Sequence, residues 1–221
     1  MRNRWPGLFG IAFAVLFVLG MLLLTNTPDY DAPDQEWTEW FDDGGNRAQQ
    51  IIGLAALILA ALAFIPFLVH VIRGLRSRYQ TGDAPTIALV SGALFATLLV
   101  MGAVVTATGS LSVEIGDIPI PAPDVLRWAE QAGYGFVLGA GGWAASVAIG
   151  VISWTARRTA LFPTWLTTAG WVAAVLLIAS TLFIPIVVLP LWVLTVSVVL
   201  LRAPASAPIT RTPPVARTTE G

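Results

Sequence analysis

The sequence predicts an all-α protein: a polytopic membrane helix bundle of six transmembrane helices, with both termini on the cytoplasmic side. Three observations predict it. Hydrophobic residues make up 56% of the 221 and charged residues only 11%, against about 25% charged in soluble domains. Six uncharged stretches, each near the ~20 residues a spanning helix needs, divide the chain. The arginines and the acids fall on opposite sides of those stretches. The spans are residues 5–24, 48–72, 86–108, 133–155, 164–183 and 184–201. Residues 1–202 form one membrane domain, and 203–221 follow as a cytoplasmic tail.

The first span comes after Arg2 and Arg4, as the core of a signal peptide would. Its apolar run is too long for a typical leader, and it ends in Leu24-Thr25-Asn26-Thr27 without a small-x-small cleavage site. It reads as a retained helix. In the loop that follows, residues 33–41 predict a short helix started by an Asp cap. Trp37, Trp40 and Phe41 at i, i+3 and i+4 give it one aromatic face and one acidic face. That is the pattern of an interfacial helix lying on the outer leaflet. Gly44-Gly45 is expected to turn the chain, and Asn46 to cap the second span. Pro66 is expected to interrupt that span, because it frees the Leu62 carbonyl.

After the third span, Ile118-Pro-Ile-Pro-Ala-Pro123 reads as a polyproline-like strut. A helix from Asp124 then leads into the fourth span. There Gly135, Gly139, Gly142, Ser146 and Gly150 recur at i, i+4, i+7, i+11 and i+15. At ~100° per residue they fall within an arc of roughly 80°. A face with almost no side chain lets neighbouring backbones come close, so the other helices are expected to gather round this one. From 164 to 201 only Phe183-Ile184-Pro185 breaks the apolar run. One helix of that length would overshoot the bilayer. Pro185 removes a donor and disfavours helix at Ile184. Two helices with a very tight turn follow, Pro190 kinking the second near its start; a re-entrant hairpin is the alternative. The tail is rich in Pro, Thr and Ala and is expected to be disordered.

Charge sets the expected orientation. Arg2, Arg4, Arg73, Arg76, Arg78, Arg157, Arg158, Arg202, Arg211 and Arg217 fall on one side, leaving Arg47 and Arg127 on the other. All acids except Asp83 and Glu220 share the side of Arg47 and Arg127. The arginine excess marks the cytoplasmic side. Trp5, Trp37, Trp40, Trp128, Trp154, Trp165, Tyr30, Tyr79 and Tyr134 lie near span ends, where amphipathic rings prefer to sit. Trp143, Trp171 and Trp192 lie deeper and are expected to be packing residues.

Chemistry-bearing patterns are sparse. There is no Cys, so thiol chemistry and disulfides are excluded. His70 is the one ionisable residue inside a span, and a lone interfacial His reads as structural. Ser91, Thr97, Thr106, Ser146, Thr168, Ser180, Thr195 and Ser197 are hydroxyls that bond their own i−4 carbonyls or pack. Asp29, Asp31 and Asp34 miss calcium-loop spacing, since Pro33 stands where a ligand should be. No metal site or cofactor is expected. Arg47 and Arg127, the sole cations on the acidic side, carry two readings. In one they pair with Asp42, Asp43, Asp124 or Glu130 and fix the loops. In the other, Asn46, Arg47, Arg127 and Tyr134 converge over the glycine face and hold a polar or anionic head group, gripped by the planar guanidinium forks.

Several short motifs carry a resemblance. They are Gly45-Asn46-Arg47, Arg73-x-x-Arg76-x-Arg78, Gly133-Tyr134, Phe162-Pro163-x-Trp165-Leu166-x-x-x-Gly170 and Leu191-Trp192-Val193-Leu194-x-x-Ser197. Across most of residues 5–202 the chain resembles a bacterial family of uncharacterised six-helix integral membrane proteins. The resemblance implies the architecture and no activity. An all-arginine basic set with abundant Ala, Gly, Val and Pro fits a GC-rich bacterial genome, and the inner membrane is the expected location. The expected function is non-enzymatic: an accessory or structural membrane component. Its partners are the lipid bilayer and another membrane protein or a second copy, with no nucleic acid. The alternatives are an outer-face binding or sensing module, and a transporter of a neutral or lipophilic solute.

Overall fold

A computed structural model describes residues 5–78, 82–182 and 184–202. The expectations for Arg2, Arg4, Tyr79, Phe183 and the tail with Arg211, Arg217 and Glu220 lie outside those residues. All secondary structure among the described residues is helical. In chain order the helices are α1 (Trp5–Leu24), α2 (Asp34–Asp42), α3 (Gly44–Arg76), α4 (Ala84–Thr106), α5 (Thr108–Glu114) and α6 (Pro123–Tyr134). A π-helical segment, Gly135–Gly141, joins α6 to α7 (Gly142–Thr159). After α8 (Thr164–Ile178), the 3₁₀ turns Ala179–Leu182 and Ile184–Val187 lead into α9 (Val188–Arg202). Five stretches are long and apolar enough to cross a membrane: Gly7–Leu24, Gly44–Arg76, Ala84–Thr106, Pro123–Thr159 and Pro185–Arg202. The sixth expected span is represented by α8, which is shorter at 15 residues.

The long helices close a ring in the order α9, α1, α3, α4, α7, α8 and back to α9. The glycine-rich fourth span is therefore one member of the ring and not its hub. Phenylalanines fill the part between α1, α3 and α4. The Phe13 ring lies 4.9 Å from that of Phe64, and Phe64 lies 5.3 Å from Phe95. Rings at such distances attract one another beyond the area they bury. Ile149, Ile152, Leu166, Leu177 and Val193 continue this core between α7, α8 and α9.

Close approach at the seams is shared among several helices. A Cβ on Gly53 of α3 would stand 2.7 Å from the Leu24 nitrogen of α1, and one on Gly142 would stand 1.8 Å from Ser180 Oγ. Small residues let helix backbones meet this way without a hydrophobic drive from water. The single glycine face splits at the π segment. Gly142, Ser146 and Gly150 turn toward α8 and its turn: Ser146 Oγ donates to the Ala174 carbonyl at 2.6 Å, and Gly150 faces the Ala174 Cβ. Gly139 is half-buried, and Gly135 is exposed, with nothing near its would-be Cβ. A π turn advances less per residue than an α turn, so positions before it lose phase with positions after it. Gly141 permits the wide turn, since a Cβ there would stand 2.8 Å from the Phe136 carbonyl oxygen.

Several local expectations are corrected. Asp43 caps α3, its carboxylate accepting from the Gly45 N–H at 2.7 Å, and Gly44-Gly45 form the first helical turn. Asn46 lies inside the helix and donates from Nδ2 to the Trp40 carbonyl. Helix α2 begins at Asp34 and not Pro33, and Pro33 stands at its cap position with no side-chain cap bond, in place of the expected Asp cap. Helix α3 runs unbroken through Pro66. Pro190 sits in the first turn of α9, where its missing N–H is no loss. Trp143 and Trp171 are 58% and 42% exposed, whereas Trp192 is buried as a packing residue. Thr97, Thr168, Thr195 and Ser197 bond their own i−4 carbonyls, but Ser146 and Ser180 bond across helices.

Candidate functional site

Polar chemistry concentrates at the end of the bundle that carries α2, α5 and the start of α6. Trp37 and Phe41 of α2 bury against Leu126 of α6 as a small second core. The aromatic face of α2 is thus spent on protein, not laid on a leaflet; an amphipathic pattern fits either surface equally well. Trp37 Nε1 donates to the Asp29 carbonyl at 3.1 Å and anchors the preceding loop.

The two arginines flank this cluster from different sides. Arg127 reaches Asp34 at 2.7 Å and Asp124 at 3.1 Å, donates to the Ala32 carbonyl at 2.6 Å, and lies 5.4 Å from the centre of the Trp37 ring. Arg47 pairs with Glu114 at 2.6 Å and donates to the Phe41 and Asp42 carbonyls. Of the partners anticipated for the two, only Asp124 supplies a carboxylate. Arg47 is held at Glu114 and the end of α2, Asn46 at the Trp40 carbonyl, and Arg127 at Asp34, Asp124 and the Ala32 carbonyl.

Tyr134 belongs to a different arrangement, which the charge pattern did not single out. Glu130, one helical turn before it, is only 5% exposed and is the sole buried charged residue among those described. The Tyr134 hydroxyl donates to Glu130 Oε1 at 2.9 Å, and the Thr27 hydroxyl donates to the same oxygen. Burial pushes the Glu130 carboxyl above its ordinary range, and the two hydroxyl bonds only partly offset that. These groups line a cavity of about 140 Å³ together with Asp29, Tyr30 and Gln131. A carboxylate at i and a tyrosine at i+4, just before an uncharged run, was the available signal. Thr27, 103 residues away, was not readable from it.

A second surface lies on the flank. An open groove of about 610 Å³ runs between α4, α7 and α8. Ser146, Gly150 and Ala174 give it a floor of small residues, and Val147, Val175 and Trp171 stand along its sides. Trp154 and Asp83 mark one end, and the Arg158 guanidinium lies 4.1 Å from the Trp154 ring centre. His70 lines a separate shallow cavity with Trp5, Pro66 and Arg73. No cluster of three metal-ligating side chains occurs among the described residues.

No protein-family model matches the chain, and neither a curated protein nor a solved structure matches it.

Proposed function

We propose that the chain is a non-enzymatic accessory component of a cell membrane, whose flank groove receives a transmembrane helix of a partner protein. The groove is the observation that carries this reading. Its floor of Ser146, Gly150 and Ala174 permits close backbone approach, the main source of helix association in lipid. Its side carries Trp171, exposed although it lies well inside an apolar helix. Tryptophan on a bare lipid-facing surface favours the interface region, so a deep exposed ring supports a protein neighbour. Transport gains no such support: phenylalanine and aliphatic side chains fill the described core, and the one buried charged residue among those described, Glu130, sits beside the loop residue Thr27.

In this reading the protein has six spans with both termini cytoplasmic, in line with its resemblance to six-helix membrane proteins. Helix α8 covers about 22 Å, and its 3₁₀ extension adds about 8 Å, together near the ~30 Å hydrocarbon thickness. A photo-crosslinker at Val147 should capture one membrane protein, and Val175→Trp, which fills the groove, should abolish the capture. Capture unaffected by Val175→Trp, or adducts to lipid alone, would refute the docking.

A further inference from the structure

We propose that the cavity beside Glu130 binds a small singly charged ammonium group, with the Glu130 carboxylate as counter-ion and Tyr30 and Tyr134 as aromatic walls. The argument begins with an imbalance. A buried carboxylate is costly unless a cation or several donors compensate it. Glu130 has two hydroxyl donors, both on Oε1, and no described group donates to Oε2. The nearby cation is engaged elsewhere: the guanidinium of Arg127 is held by Asp34, Asp124 and the Ala32 carbonyl. The site therefore holds negative charge with no protein cation assigned to it.

The surroundings select the ligand. Asp29 also lines the cavity, so anions are repelled. A divalent metal would need more carboxylates than are gathered here. Aromatic faces attract ammonium groups, the recurrent means of recognising alkylated amines. A volume of about 140 Å³, against roughly 30 Å³ for a water molecule, is room for a handful of heavy atoms. Two sources share this chemistry: a free alkylamine, and the amine head group of a lipid in the adjacent leaflet.

Asp29, Tyr30 and Tyr134 face Glu130 across the cavity and are the other titratable groups there. Protonating Glu130 removes the counter-ion, so binding should weaken as pH falls.

The test is thermal unfolding of the full-length protein at pH 8. In one arm, protein in neutral detergent is titrated with ethylammonium chloride, with sodium chloride as the ionic control. In the other, nanodiscs of phosphatidylethanolamine are compared with nanodiscs of phosphatidylglycerol alone. Binding at ten times Kd raises Tm by about 3–6 °C for a chain of this size. A rise in either arm that Glu130→Gln abolishes supports the site, and the responding arm identifies the source. Tyr134→Phe, which keeps the ring and the carboxylate, serves as a second variant and should reduce the shift without removing it. No rise in either arm, or an equal rise in Glu130→Gln, overturns the proposal.

Discussion

Gly102 of α4 and Gly133 of α6 face each other so closely that a Cβ on either would stand within 2.8 Å of the other's carbonyl oxygen. Thr106 closes the same contact, 1.9 Å from the would-be Cβ of Gly133. Gly133→Ala should therefore destabilise the protein by about 1–3 kcal/mol through overpacking. Gly135→Ala, two residues on, has nothing within 4 Å of its new methyl group and should change stability by no more than ~0.5 kcal/mol. Thermal unfolding of both variants in one detergent checks the contrast. Equal effects would mean the α4–α6 seam is looser than described.

Glu130 should make stability depend on pH. Its folded-state carboxyl is raised above the ordinary 4.5 by burial, so the folded state holds the proton more tightly than the unfolded state. Stability is then greatest at and below pH 4.5 and declines as pH rises toward the folded value. Glu130→Gln keeps a hydrogen-bond acceptor for Tyr134 and cannot ionise. It should unfold at a higher temperature than wild type at pH 8 and at about the same temperature at pH 4. A wild-type advantage at pH 8 in ligand-free buffer would contradict the uncompensated carboxylate.

The aromatic cap should behave as a unit. Trp37→Ala removes the largest fully buried side chain among the described residues and leaves Arg127 without its ring. A loss of about 3–5 kcal/mol is the usual scale for such a truncation. Hydrogen exchange should accelerate in α2 and the loop before it, while the middle of α3 stays protected. Uniform acceleration through α3 would show that the cap and bundle are not separable.

Ser153 Oγ and Trp192 Nε1 are buried without partners, and both crowd the position that a Cβ on Gly170 would take. Deleting an unsatisfied hydroxyl costs little. Ser153→Ala should be neutral or stabilising in the same unfolding assay. A loss above ~1 kcal/mol would reveal a bridging water or an unrecognised bond.

Where the sequence was legible, one physical signal dominated. The 5–24 span coincides with α1, because uncharged length is decisive in a bilayer. The break between α8 and α9 was legible in Pro185 and its neighbour, although the regular helix of α8 already ends at Ile178. The glycine face fails at Gly135, where nothing stands near a would-be Cβ, because the π segment breaks the constant turn per residue. Glu130 was hidden for another reason. By composition it is one acid among many in an acidic loop, and only Thr27 and the packing of α6 set it apart from exposed Asp124. Arg47 and Arg127 stood out by scarcity, yet scarcity carried no information about where their partners lay.

The span count rests most heavily on α8, whose 15 residues leave it outside the stretches long enough to cross a membrane. Topology reporters fused after Arg78, Arg158 and Arg202, with controls near Asp34 and Asp117, test it directly. Six spans predict that all three arginine positions report the cytoplasm and both acidic positions the exterior. An external signal at Arg202, with Arg158 still cytoplasmic, would mean that only one crossing lies between 164 and 202, and would contradict the six-span bundle.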